Sequence, residues 1–293
     1  MVFIPILQTI VPVFLIILVG YIIGKFIKIN IQPMVDLIVY LSAPCLIFSS
    51  ISRSNIDLID FFKIASSAVF VALILWFFVF LILRTTKSGK VGLYLPMVIG
   101  NTGYLGYPVA LFSFGVAGLS RAVVYDMMNS LLLFSFGIYI VHHRSEVKEI
   151  FKVPLIYSVV VGLFFSLLKI SIPELIFKPI QMIGSITIPL ALLVLGYKLT
   201  ETRLSSIRLS LFASLFRIFF GFLVALFVIN LFSVSSLARK IILFQASMPS
   251  AVMSMILCQK YKRNADIVAS VVLVTTLIGL FSIPFFLYVV QFF

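Results

Sequence analysis

Charge is scarce in this chain. Of its 293 residues only 11% are Asp, Glu, Lys or Arg, against about 25% in soluble globular domains. Acidic residues are scarcest, at nine. There are two histidines, the adjacent His142 and His143, so no histidine lies within an apolar stretch to serve a serine nucleophile or a zinc ion. The two cysteines, Cys45 and Cys258, have no ligand-like spacing and read as small hydrophobes in apolar stretches. No Gly-Lys-Ser/Thr phosphate loop is present, which excludes nucleotide hydrolysis by this chain alone. Tyr125-Asp126 has no Gly-rich second aspartate motif after it, as an intramembrane aspartyl protease would require. The beginning lacks a basic segment and a small-residue cleavage site, so the first apolar stretch is expected to stay in the mature protein.

What fills the chain instead is hydrophobic residue, 62% of the total, with a mean hydropathy of +1.26. About ten apolar stretches are of membrane-spanning length: 5–27, 33–51, 60–83, 91–115, 119–141, 153–172, 174–197, 206–232, 237–258 and 266–290. Roughly 20 apolar residues suffice for a hydrocarbon core of about 30 Å. An all-α integral membrane protein of ten transmembrane helices follows, with no sizeable soluble domain left over. The net charge of +13 then belongs to the links between spans. There it sets topology and meets anionic lipid headgroups; nucleic acid is not expected as a partner.

The basic residues are unevenly shared between the two faces. One set of links carries Lys25, Lys28, Arg84, Lys87, Lys90, Arg144, Lys148, Lys152, Lys198, Arg203, Arg208, Lys260, Lys262 and Arg263. The opposite set carries Arg53, Lys63, Arg121, Lys169, Lys178, Arg239 and Lys240. A bias of 14 to 7 places the first set in the cytoplasm and both termini outside.

The first half of the chain returns in the second. Val11-Pro12 answers to Val153-Pro154, Gly20 to Gly162, and Lys28-Ile29-Asn30-Ile31 to Lys169-Ile170-Ser171-Ile172. Pro44 pairs with Pro189 and Pro108 with Pro249, all at offsets of 141 to 145 residues. Five spans per half require the second copy to be inserted upside down. The expected organisation is a first five-helix repeat over 1–141, a cytoplasmic linker over 142–152 and an inverted repeat over 153–293. Inverted repeats of this kind mark secondary transporters.

Two matching spans are poor continuous helices. The fourth reads Gly100-Asn101-Thr102-Gly103-Tyr104-Leu105-Gly106-Tyr107-Pro108, and the ninth reads Gln245-Ala246-Ser247-Met248-Pro249-Ser250-Ala251. Inside a helix Gly costs about 1 kcal/mol and Pro about 3 kcal/mol relative to Ala. Backbone freed in this way at membrane depth is tolerated only when buried in protein or lining a wet cavity. Either break alone could serve helix packing; at matching positions the pair points to a binding site near the midplane. Helices restarting near Pro108 and Pro249 aim free N–H groups and a positive dipole end at the breaks, which suits an anion. Asn101, Thr102, Gln245, Ser247 and Ser250 add neutral donors. Ser42-Ala43-Pro44 and Thr187-Ile188-Pro189 either flank this site or mark simple kinks.

The Gly-Asn-Thr-Gly-Tyr-Leu-Gly-Tyr-Pro run and Ser-Met-Pro-Ser-Ala-Val-Met-Ser resemble the fourth- and ninth-span motifs of the auxin efflux carrier family. Val-Pro-Val-Phe-Leu-Ile-Ile-Leu-Val-Gly-Tyr-Ile-Ile-Gly-Lys and Leu-Ser-Ala-Pro-Cys-Leu-Ile-Phe are also similar to that family, and the resemblance runs nearly the whole length. It implies a ten-span fold related to the bile acid:sodium symporters, in which broken spans four and nine cross. Plant members export indole-3-acetate; prokaryotic members are associated with malate, malonate and similar acids. Plant carriers have a second proline beside the matching asparagine and a long central loop. Gly100 and the short central link here point to a short prokaryotic-type member. By the same resemblance Asn101 is the substrate-carboxylate contact, Pro108 and Pro249 form the crossover, Gly103 and Tyr104 belong to the binding run, and a homodimer is implied.

Three ionisable residues fall within spans. Asp36 lies near the cytoplasmic end of its span and reads as an interfacial carboxylate. Asp126, with Asn129 three residues on along one helix face, is either a proton- or cation-coupling group or half of a buried pair. Arg217 is a substrate counter-ion, a partner of Asp126, a snorkelling side chain or, the reading favoured here, a structural one. The expected function is a cell (inner) membrane secondary transporter moving a small organic anion by alternating access, with H⁺, Na⁺ or no coupling ion, no cofactor and no metal. An organic-anion channel is an alternative, although no ring of charges or carbonyls is evident; a non-transporting intramembrane enzyme is another.

Overall fold

A computed structural model of the chain describes residues 3–54, 56–86, 89–142 and 154–293. The expected linker over 142–152 lies outside the described residues apart from His142. Every element among the described residues is helical, and the single β-type pairing is one isolated bridge.

The helices are α1 (Phe3–Phe26), α2 (Gln32–Ser52), α3 (Leu58–Thr85), α4 (Tyr94–Val98), α5 (Gly106–His142), α6 (Pro154–Leu167), α7 (Glu174–Thr200), α8 (Ile207–Phe232), α9 (Ser236–Ala246), α10 (Val252–Lys260) and α11 (Ala265–Phe292). Seven of them, α1, α2, α3, α5, α7, α8 and α11, are long and apolar enough to cross a membrane. Their outward faces are bare hydrophobic surface: Phe77, Phe227 and Phe281 are exposed.

Prolines and glycines decide where these helices bend. Pro44 has no N–H to give its helix, and α2 absorbs the defect in a widened π-turn over Ile38–Ser42. The stretch expected as spans four and five is a short helix, α4, a non-helical gap over 99–105, and then α5. Helix α5 turns sharply at Gly115, whose φ of +67° is open to glycine at no steric cost. Its arms, 106–114 and 116–142, thus fall close to the two expected spans. The ninth expected span is likewise two helices, α9 and α10, separated by 247–251. One expectation needs correcting. The span drawn over 153–172 is helical only to Leu167, because the chain turns at Lys169, where φ is +53°. At about 1.5 Å per residue, the described part of α6, Pro154–Leu167, is shorter than a hydrocarbon core.

The helices pack in two groups. In one, α1 lies along α7 and α6 along α2, with α2 also against α7. Small residues permit the approach: a Cβ at Gly20 or Gly196 would overlap backbone of α7 or α1 respectively, and one at Gly162 would press on Ile51 of α2. In the other group α3 packs on α5 and α8, α8 on α11 and α9, α9 on α5, and α10 on α11. The groups meet where α1 and α2 touch α5 and α1 touches α11.

Candidate functional site

The two non-helical gaps meet each other. Gly100 and Ser250 pair as an antiparallel bridge. The Asn101 N–H donates to the Pro249 carbonyl at 2.6 Å, and the Ala251 N–H donates to the Ile99 carbonyl at 3.0 Å. Backbone groups that left their own helices thereby satisfy each other in the buried interior. Gly100 is needed at this point because a Cβ there would run into the guanidinium of Arg217.

Beside the bridge lies a cavity of ≈ 100 Å³, well below the roughly 300–1,000 Å³ of drug-sized sites. Its wall is formed by α2 (Ile38, Val39, Ala43), the first gap (Ile99, Gly100, Asn101, Gly103, Tyr104), and α5 (Tyr107, Pro108, Asp126, Asn129, Ser130, Leu133, Phe134). Leu155 of α6, Thr187, Ile188 and Ala191 of α7, and Ala251, Val252 and Met253 complete it. Both helix groups therefore contribute to one chamber. The first residues of α10 and of α5 face it, so two positive helix ends point inward.

Three polar groups on this wall are buried without a hydrogen-bond partner among the described residues: Asn101 Nδ2, the Tyr104 hydroxyl and Thr187 Oγ1. Buried polar groups are normally satisfied, and leaving one unpaired costs about 1–3 kcal/mol. All three can donate.

The remaining sequence-singled residues take different places. The Thr102 hydroxyl donates to Asp126 Oδ1, and the Tyr107 hydroxyl donates to Asp126 Oδ2 at 2.7 Å. Asn129 Nδ2 donates to the Gly100 carbonyl at 3.0 Å and to Thr102 Oγ1 at 2.8 Å. The expected Asp126–Asn129 pairing is thus routed through Thr102. Gln245 Nε2 donates to the Thr102 carbonyl at 3.2 Å, and Ser247 Oγ donates to the Phe244 carbonyl at 2.8 Å. Asn101, Gly103, Tyr104 and Pro108 line the cavity; Thr102 with Gln245, Pro249 with Asn101, and Ser250 with Pro96 tie the two broken stretches together, while Ser247 bonds within its own helix end. Asp36 is exposed, accepts from Gln32 Nε2 at 2.8 Å and stands apart from this site.

Two expected positions shift. Pro249 and Ser250 lie inside the gap and not at the start of the restarted helix, which begins at Val252. Ser250 Oγ donates to the Pro96 carbonyl at 2.6 Å and lies 3.2 Å from Thr275 Oγ1, so its hydrogen is already bound within the protein. Ser250→Ala is expected to lower stability by about 0.5–1.5 kcal/mol and to affect carboxylate binding far less than Asn101→Ala. Thermal unfolding and ligand titration of the variant check this; abolished binding at unchanged stability would contradict it.

Arg217 is 2% exposed and sits in a widened turn of α8, over Phe216–Phe220. Its Nη1 donates to the Ala246 carbonyl at 2.8 Å. Ala246 is the last residue of α9, so the guanidinium occupies the negative end of that half-helix. It does not line the cavity and forms no ion pair with Asp126.

Sequence reasoning missed Tyr107 as the holder of Asp126, although it belongs to the glycine-rich run, and gave Thr187 only a flanking place. The shared position of Ser42 and Thr187, each two residues before a proline, was the available signal.

A family model described as membrane transport protein matches residues 5–153 and 144–287. An uncharacterised transporter of Methanocaldococcus jannaschii is 29% identical over 92% of this chain and 96% of its own length. An uncharacterised transporter of Methanothermobacter thermautotrophicus is 27% identical over 97% of this chain and 98% of its own.

Proposed function

Because the chain belongs to this membrane transport protein family, of the auxin efflux carrier type, we propose that it is a secondary transporter for a small organic anion, a carboxylate, bound in the chamber beside the two gaps. One observation carries the reading: Asn101, Tyr104 and Thr187, three residues of one small cavity's wall, each carry a buried polar atom without a partner among the described residues, Asn101 Nδ2, Tyr104 OH and Thr187 Oγ1. A carboxylate offers up to about four acceptor sites, and the two inward helix ends favour its charge.

In this reading the chain has ten spans in two inverted repeats, 1–141 and 153–293, and the fourth and ninth spans cross at their breaks. The packing supports it, since α1 on α7 and α6 on α2 are the same contact with the halves exchanged, as are α3 on α5 and α8 on α11. Alternating access is the rocking of one helix group against the other about the chamber between them. A thermal-stabilisation screen of the purified protein against mono- and dicarboxylates tests the reading. Small carboxylates should raise the unfolding temperature, and matched neutral amides should not; stabilisation by the amides alone would overturn it.

The basic asymmetry supports both chain ends lying outside the membrane. In a background without Cys45 and Cys258, single cysteines at positions 2 and 293 should react with an impermeant reagent in intact cells. Protection of both would reverse the assignment.

A further inference from the structure

We propose that anion binding in this chamber is coupled to protonation of Asp126, so that one proton enters the site with each anion. The inference rests on the carboxylate reading and adds the coupling ion to it.

Asp126 is 7% exposed and lines the same cavity as Asn101. Within a cavity of about 100 Å³ with a mostly apolar wall, an ionised Asp126 and a bound carboxylate are two like charges in a low-dielectric site. Close carboxylates in such surroundings do not both stay ionised. No cation offsets the pair from within the chamber. Asp126 has no ion pair among the described residues, and the titratable groups beside it on the wall are the phenols of Tyr104 and Tyr107. Neighbouring helices carry their charges toward their ends. Arg53, just past the end of α2, pairs with Glu174, Asp60 of α3 with Arg121, and Lys63 of α3 donates to the Ser233 carbonyl. On α9, Arg239 and Lys240 lie in the first turns, and on α1, Lys25 lies in the last.

Arg217 is the one buried cation near the crossing among the described residues, against Gly100 and the end of α9. With Asp126 ionised and the chamber empty of anion, the buried charges of these two residues cancel. A monoanion entering with a proton on Asp126 leaves the sum at zero again. Entry without the proton leaves a net buried charge.

The groups that hold Asp126 suit both of its states. Thr102 and Tyr107 present hydroxyls, which donate to a carboxylate and accept from a carboxyl; a lysine or arginine in their place would favour only the ionised form. Thr102 also has a second acceptor. Its hydroxyl lies 3.4 Å from the Gly100 carbonyl, so its hydrogen can turn there when Asp126 becomes the donor to Thr102 Oγ1.

Calorimetric titration of the purified protein with propionate and with lactate, both monoanions, in buffers of differing ionisation heat, counts the protons. One proton should be taken up per anion, and the dissociation constant should rise with pH, by up to roughly tenfold per unit, over the range where the empty site gives up its proton and the occupied site keeps it. In Asp126→Asn the pH slope should vanish. Should that variant fail to fold, infrared difference spectra of the wild type serve: adding propionate should produce a new protonated-carboxyl band. Binding of either acid with no proton uptake, or binding that requires Na⁺, overturns the coupling and leaves the carboxylate reading standing. Absence of binding by both acids overturns the two together.

Discussion

Asn101→Ala weakens carboxylate binding by about tenfold to a hundredfold and leaves the protein folded. Asn101 lines the chamber and its amide Nδ2 is buried with no partner among the described residues, so in the proposed reading its bond is left for what enters. A hydrogen bond to a charged group is worth about 1.5–3 kcal/mol, and about 1.4 kcal/mol is tenfold in affinity. The fold should tolerate the change, because the bonds Asn101 makes to the protein are made by its backbone, with Pro249 and Gly106, and alanine keeps them. Removing an unsatisfied donor even offsets part of the lost packing. Titration of carboxylates into the purified variant, beside its thermal unfolding curve, checks both halves of the expectation. Wild-type affinity in Asn101→Ala would place the site elsewhere.

Arg217→Gln has the opposite profile: stability falls by about 1.5–3 kcal/mol, the worth of a hydrogen bond to a charged group, while carboxylate affinity falls by less than about tenfold. Arg217 ties α8 to the end of α9 through the Ala246 carbonyl and fills the space that Gly100 and Gly221 leave open. Its charge acts on the chamber only from behind Gly100. Denaturation and binding measured on the same preparation separate the two effects. A variant of normal stability that no longer binds carboxylate would instead make Arg217 the substrate's counter-ion.

The seven membrane-length helices were legible because apolar runs bounded by basic links need no tertiary information to be recognised. The two gaps were legible for a similar reason: closely spaced glycines and a proline make helix expensive wherever the chain places them. What stayed hidden is what depends on partners distant in sequence. Arg217 finds a main-chain carbonyl 29 residues away, and carbonyls carry no sequence signal. Ser250 looked like a ligand donor beside Pro249, yet the bridge with Gly100 turns its hydroxyl to Pro96 and Thr275. Thr187 and Tyr107 reach the chamber only because α7 and the first arm of α5 meet there. The short reach of α6 was concealed by apolar residues continuing past Leu167 as far as Leu168 and Ile170, beyond the point where Lys169 turns the chain.

The central claim is that a carboxylate crosses the membrane bound in one chamber that opens to each side in turn. Counterflow in proteoliposomes tests it most directly. Vesicles loaded with unlabelled substrate, taken from the acids that stabilise the purified protein, should transiently accumulate labelled substrate above its outside concentration. That uptake should saturate and should be strongly reduced in Asn101→Ala at equal protein content. Flux that rises linearly with concentration and gains nothing from internal substrate would contradict the claim and describe a channel instead.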